Sequence, residues 1–214
     1  MREAVIIWRV MCHGLLGFMY FSLAVPTSAH EIPDNFVERT VAVVVRDNVA
    51  ELTYSAGLNF KTMRSLLQQW GLPSHQYAEN VGDEELSKHF RQAAFNRLST
   101  GLQVTRDGQP LKLKKLTCEP SSRHHFSLIA RYQMDLGEPA QPISLELTDK
   151  NFPSQQGAIR CALKATGTAM VLQSNVAPII VRAKRHELKN QTPKERTAVS
   201  QIKAKLGFVP ESVK

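Results

Sequence analysis

Apolar and polar residues alternate along much of this chain, and a period of two is typical of half-buried β-strands. In residues 49–58, Leu52 and Tyr54 fall on one side of an extended chain and Thr53 falls on the other. The turn-forming pair Asp47-Asn48 precedes this segment and predicts a hairpin with the strand before it. Strands are predicted at Phe36–Arg46, Val49–Leu58, Leu111–Leu113, Phe126–Met134, Ile143–Leu147, Ile159–Leu163, Met170–Leu172 and Ile179–Val181.

Three segments have apolar residues at the spacing of a helix instead. The first stripe runs from Met63 to Trp70, and the second repeats every four residues from Leu86 to Leu98. The third segment begins with a capping box with proline at the first helical position, Thr192-Pro193-Lys194-Glu195. Its apolar stripe, Val199, Ile202 and Leu206, predicts an amphipathic C-terminal helix that is basic on its other face.

These patterns predict a fold that is mainly β, and α+β when the helices are included. We expect an antiparallel β-sandwich with two inserted helices and the C-terminal amphipathic helix. The expected organisation is a signal peptide at 1–29, the sandwich-like domain at 30–188, and a polar link with the last helix at 189–214.

The first 29 residues have the order of a secretory signal peptide, with Arg2 and Arg9, then an apolar run, then small residues ending at Ala29. A membrane anchor is the competing interpretation, but the apolar run has only about sixteen residues, and a spanning helix needs about 20. The signal predicts export to the periplasm or the extracellular space. No other stretch reaches membrane-spanning length, so no transmembrane segment is expected in the mature chain.

Cleavage after Ala29 would leave two cysteines, Cys118 and Cys161, in a compartment that permits disulfides. A bond between them would close a loop of about 43 residues and stabilise the fold by about 4 kcal/mol in the chain-entropy model. Two buried free thiols are the alternative. Cys161 shares an apolar face of its predicted strand with Ile159 and Leu163, which favours a structural role.

Cleavage would also change the chemistry of His30, which gains a free α-amine beside its imidazole. The α-amine has a pKa of about 7.7–8.0, so a metal displaces its proton at modest cost. Two nitrogens on one residue favour Cu(II), followed by Ni(II), and Glu31 and Asp34 are the nearest additional ligands. The alternative is a frayed terminus.

His124 and His125 form the other conspicuous pair. Adjacent residues of a strand point to opposite faces, so at most one of them joins a site built from one side. A pair of polar residues at the end of a loop is the alternative.

The sequence contains no catalytic motif, and we expect a non-catalytic protein. The net charge is +8, and cleavage would lower it by one. Basic residues concentrate between Arg182 and Lys205 without interleaved aromatic residues. This segment is typical of a solvated face, or of a surface that binds an anionic membrane or an acidic partner. Nucleic acid is not an expected partner, because an exported protein rarely meets it.

Several short motifs resemble the extracytoplasmic N-terminal domain of bacterial proteins associated with nickel/cobalt permeases of the hydrogenase- and urease-accessory type. They are His30–Asn35, a valine-rich strand, a second strand with Glu51 and Tyr54, Asp107-Gly108, Leu147–Phe152, Ser174–Pro178 and the basic strand near Arg182. Those proteins continue into membrane helices, whereas this sequence has a soluble helix. The resemblance implies a standalone exported domain that handles a transition metal, with an envelope or membrane transport protein as its partner.

Two functions follow from the sequence. The first is a domain that binds or delivers copper or nickel through His30. The second is an interaction module that binds another envelope protein, or the membrane surface, through the sheet and the basic C-terminal helix.

Overall fold

The alternating segments form eleven strands among the residues that the structure describes. The structure is a computed structural model, and it describes residues 32–121, 126–138 and 142–209. The strands are β1 (Phe36–Arg46), β2 (Val49–Leu58), β3 (Leu102–Arg106), β4 (Gln109–Pro110), β5 (Lys114–Ser121), β6 (Phe126–Asp135), β7 (Ile143–Asp149), β8 (Gln156–Thr166), β9 (Ala169–Ser174), β10 (His186–Glu187) and β11 (Gln201–Phe208).

The strands form two sheets that share one apolar core. The first sheet has the order β10-β8-β1-β2-β6-β5, and the second has the order β4-β3-β7-β11-β9. Three α-helices occur in the described ranges: α1 (Phe60–Gln69), α2 (Asp83–Gly101) and α3 (Pro193–Val199). The predicted fold class, mainly β and of the α+β sandwich type, is confirmed.

The strand β1 lies inside the first sheet because it pairs on both sides. It forms the predicted antiparallel hairpin with β2, and on its other side it pairs in parallel with β8. Every second residue of β1 is buried: Val37, Arg39, Val41, Val43 and Val45. The inner face of this strand therefore carries one charged residue among four valines.

The helices α1 and α2 are the two predicted inserts, and aromatic contacts connect them to the first sheet. The rings of Trp70 and Phe90 stack at a centroid distance of 5.2 Å, and Phe90 meets Phe126 of β6 edge-to-face at 5.6 Å. The side chain of Asn59 caps α1 by accepting a hydrogen bond from the Thr62 N–H at 2.8 Å. The two helices thus help to cover the apolar face of the sheet.

The predicted C-terminal helix is wrong beyond its first two turns. The capping box of Thr192 and Glu195 is present, but α3 ends at Val199, and residues 201–208 form the strand β11. β11 lies between β7 and β9, so it is an interior strand of the second sheet. Residues 201–208 therefore belong to the second sheet, and Ile202 and Leu206 face the core instead of forming one face of a helix.

The segment Ile179–Val181, predicted as a strand, also differs, because residues 180–182 form a 3₁₀ turn. Pro178 precedes this turn and offers no backbone N–H for a sheet.

The predicted disulfide is wrong, since both cysteines are free thiols. Cys161 and Cys118 lie in one row across the first sheet, with Val41, Tyr54 and Ala130 between them. Four strand spacings of about 4.8 Å separate them by about 19 Å. A disulfide requires Cα atoms about 4.4–6.8 Å apart.

No helix within the described ranges has the length and the apolar character needed to cross a membrane.

Candidate functional site

The chain that follows the predicted cleavage site is fixed to the start of α1. Ile32 is buried, and its carbonyl oxygen accepts a hydrogen bond from Asn59 Nδ2 at 2.9 Å. The N–H of Asn35 donates to Thr62 Oγ1 at 2.8 Å. Residues 32–35 are therefore held on the domain by both burial and hydrogen bonds.

Asp34, a predicted metal ligand, is already paired. Its carboxylate accepts a hydrogen bond from Asn59 Nδ2 at 2.9 Å and forms an ion pair with Lys61. The hydrogen bonds from Lys61 and Asn59 lower the pKa of the Asp34 carboxyl. A metal ion at Asp34 would have to compete with the Lys61 ammonium.

The remaining predicted ligands, His30, Glu31, His124 and His125, lie outside the described residues. Within the described ranges, no three side chains of histidine, cysteine, aspartate or glutamate gather into a group that could hold a metal.

The strand register shows which described strand ends lie next to each other near these ligands in the sequence. Glu38 near the start of β1 pairs with Gly57 near the end of β2, and Gly57 pairs with Ser127 near the start of β6. Ser127 pairs in turn with Ser121 at the end of β5. β1 and β6 therefore begin, and β5 ends, at the same end of the first sheet.

A second candidate is a buried polar cluster between the sheets, which the sequence did not predict. Arg39 Nη1 of β1 donates to Asp149 Oδ2 of β7 at 3.0 Å and to the Asn151 carbonyl oxygen at 2.6 Å. The Tyr54 hydroxyl donates to the same Asp149 oxygen at 3.1 Å. The side chains of Arg39 and Asp149 are only 4% and 0% exposed, so this is a buried ion pair.

Burial governs the titration of this cluster. It raises the pKa of the Asp149 carboxyl, while Arg39 and the hydrogen bonds from Asn151 and Tyr54 oppose that rise. Burial and the Asp149 charge raise the pKa of Tyr54 well above its ordinary value. Tyr54 therefore remains a neutral donor at physiological pH.

The loop of residues 150–155 follows β7 and is held from two sides. Arg39 binds it at the Asn151 carbonyl, and Arg196 Nη1 of α3 donates to the carbonyl oxygens of Pro153 and Gln155, both at 3.0 Å. Phe152, in the middle of this loop, has φ of 51° and is buried. A bulky residue rarely adopts this left-handed conformation, so the surrounding contacts hold the loop in a strained shape.

This loop forms one wall of a cleft of about 470 Å³, which we name the Arg39 cleft. Its lining residues come from β1, the end of β7, the 150–155 loop and α3 with its flanks: Arg39, Asp149, Lys150, Asn151, Phe152, Pro153, Gln191, Pro193, Arg196, Thr197 and Ser200. A cleft of this size with mixed apolar and charged walls has the dimensions of a small-molecule site.

Two signals in the sequence could have pointed to this cluster, although our prediction missed it. Arg39 occupies an inward position of the valine-rich strand, where a charge needs a partner. The motif Asp149-Lys150-Asn151 ends a strand with a carboxylate at an inward position. The sequence alone does not pair these residues, because 110 positions separate Arg39 from Asp149.

The chain matches no protein-family model, and a search of curated proteins gives no significant match. The resemblance to permease-associated domains therefore stays a prediction.

Proposed function

We propose that this chain is an exported, non-catalytic domain that binds copper or nickel through the α-amine and imidazole of His30 after signal cleavage. A primary amine and an imidazole on one residue form a chelate, and nitrogen ligands favour Cu(II) and then Ni(II) among the common divalent ions. The resemblance to permease-associated domains supports a role in metal delivery within the bacterial envelope.

The observation that carries this proposal is the register at one end of the first sheet. β1 and β6 both begin at this end and are separated by β2 alone. Two strand spacings of about 4.8 Å make the backbones about 10 Å apart. We therefore propose His124 or His125, which precede β6 in the sequence, as the further ligand beside His30.

The anchored segment 32–35 gives a second line of support. Ile32, whose carbonyl oxygen accepts a hydrogen bond from Asn59 at the start of α1, lies only two positions after the predicted new terminus in the sequence. Because residues 32–35 are already ordered, metal binding would cost less conformational entropy there.

Isothermal titration of Cu(II) and Ni(II) into the correctly cleaved protein tests the proposal. We expect one high-affinity site, and we expect one extra N-terminal alanine to weaken it at least about tenfold, as losses around a metal commonly do. His30→Ala should weaken it similarly, and either His124→Ala or His125→Ala should weaken it as well. His75→Ala is the matched control, because His75 is exposed and lies on a separate 3₁₀ turn.

Equal affinity in the cleaved and the alanine-extended protein, or no binding by either, would contradict the proposal. Binding that depends on His75 would assign the metal to adventitious surface histidines.

The second candidate function is association with an anionic membrane surface. It rests on apolar and basic side chains exposed together at the 3₁₀ turn: Ile179 and Val181 are 39% and 79% exposed, and Arg182 and Lys184 beside them are exposed. Apolar insertion together with basic residues is the usual basis of peripheral membrane binding.

Sedimentation with vesicles tests this second function. The protein should bind vesicles containing phosphatidylglycerol, bind phosphatidylcholine vesicles less, and lose binding with Ile179→Ser/Val181→Ser. Val44→Ser is the control, because Val44 is an exposed apolar residue on β1. Equal losses in both variants would contradict a role for the turn.

A further inference from the structure

We propose that the Arg39 cleft binds a small organic anion, with an apolar body against its wall and one carboxylate or phosphate group toward its basic residues. This site is distinct from the proposed metal site, since none of its lining residues belongs to the predicted metal ligands.

The charge of the lining favours an anion. Arg39, Lys150 and Arg196 are basic, and Asp149 is acidic. The Asp149 carboxylate is completely buried and is already compensated by Arg39 at 3.0 Å. The positive charges of Lys150 and Arg196 therefore remain to attract an anion, and neither residue has a carboxylate partner among the described side chains.

Two buried polar atoms of the lining residues have no hydrogen-bond partner among the described residues: Arg39 Nε and Gln191 Oε1. Nearly all buried polar groups of folded proteins are paired, so these are the positions of the lining where an added partner would stabilise most. An anionic oxygen of a ligand would supply the acceptor that the Arg39 Nε–H lacks.

The other lining residues fit the apolar body of such a ligand. Phe152, Pro153 and Pro193 supply apolar surface on the loop and at the start of α3. The loop is already fixed by Arg39 and Arg196, and Phe152 is held at φ of 51°. A wall fixed before binding has little conformational entropy left to lose, which favours affinity.

NMR titration of the ¹⁵N-labelled mature protein tests this site with three probes: benzoate, phenyl phosphate and inorganic phosphate. We expect saturable shifts of the backbone amides in residues 149–155 and 191–200 with the two aromatic probes. Inorganic phosphate should bind more weakly, because it has no apolar body. Comparing the affinities of benzoate and phenyl phosphate shows whether the cleft prefers a carboxylate or a phosphate group.

Two charge variants separate the cleft from general electrostatic attraction. Lys150→Gln should weaken the aromatic probes about three- to fivefold, as expected for an exposed ion pair. Lys164→Gln removes the same charge from an exposed position of β8 outside the cleft and should leave the affinity unchanged.

Absence of saturable shifts in both segments with every probe would overturn the proposal. Equal weakening by Lys150→Gln and Lys164→Gln would overturn it too, by showing attraction to overall charge. Inorganic phosphate binding as tightly as phenyl phosphate would rule out a site for an organic anion.

Discussion

The residue whose position matters most is Arg39, a charge at an inward site of a valine-rich strand. An unpaired charge in an apolar core costs several kcal/mol, so the structure pairs Arg39 with Asp149. Arg39 alternates in β1 with the buried valines, a signal in the sequence that our prediction did not use. Its partner came from β7, far along the chain, and only the packing of the two sheets brings them together.

Replacing Arg39 with methionine is expected to destabilise the protein by about 3–5 kcal/mol, because the buried Asp149 would lose its cation. Urea unfolding measures this loss. Arg46→Met is the matched control, since Arg46 is an exposed arginine of the same strand and should change stability by less than about 0.5 kcal/mol. Equal effects of the two substitutions would show that the buried ion pair contributes no stability.

The partners of Asp34 could not be predicted from the sequence. Its proximity to His30 made it a natural ligand, but the structure supplies it with Lys61 and Asn59 from the start of α1. Those partners lie 25 and 27 positions away and become neighbours only when the 32–35 segment docks on the helix.

At the scale of elements, local patterns placed β1, β2, β6, β7 and β8 well and failed at the C-terminus. Val199, Ile202 and Leu206 fit a helix, but Ile202, Ala204 and Leu206 fit a strand equally well. The capping box starts a helix in either case. Pairing with β7 and β9 decides between the two, and that pairing depends on residues far away in the sequence.

Deletion of residues 201–214 is expected to unfold the protein, because it removes an interior strand and the fully buried Ile202 and Leu206. Circular dichroism and urea titration should show loss of the cooperative transition. Deletion of residues 210–214 is the control, since β11 ends at Phe208. A longer deletion that still unfolds cooperatively with unchanged stability would contradict the central position of β11.

At the scale of the molecule, the sequence predicted a sandwich but not its strand order. Hairpins such as β1–β2 follow from a short turn between alternating segments. The parallel pair of β1 with β8 and the row that separates Cys118 from Cys161 depend on how whole sheets assemble. The number of cysteines and their spacing in the sequence do not show how many strands separate Cys118 from Cys161 in the sheet.

The half-buried Cys118 thiol, the buried Cys161 thiol and the buried Tyr54 hydroxyl predict instability in alkali. Burial raises the pKa of Cys118 to about 11 and that of Cys161 to about 12 from an ordinary value of 9.0, and Tyr54 is raised well above 10.0. Above about pH 9 the unfolded chain releases these protons while the native protein keeps them. The free energy of unfolding therefore falls as pH rises from about 9 to about 12.

Urea titrations at pH 7, 9 and 10.5 should show this decrease, and Cys161→Ala should reduce its slope. Lys164→Gln alters an exposed group and should leave the slope unchanged. An unchanged free energy of unfolding from pH 7 to 10.5 would contradict the burial of these protons.

The parallel pair of β1 and β8 also has a consequence for the timing of folding. Phe36 pairs with Gln156, about 120 residues later in the chain. In a chain that emerges N-terminus first, from the ribosome or through an export channel, β1 is exposed before β8 follows it. During this interval one edge of an eleven-residue strand offers unpaired backbone groups to other chains. The nascent protein is therefore most prone to aggregation before β8 has been made, and a chaperone that covers β1 would protect it most at that stage.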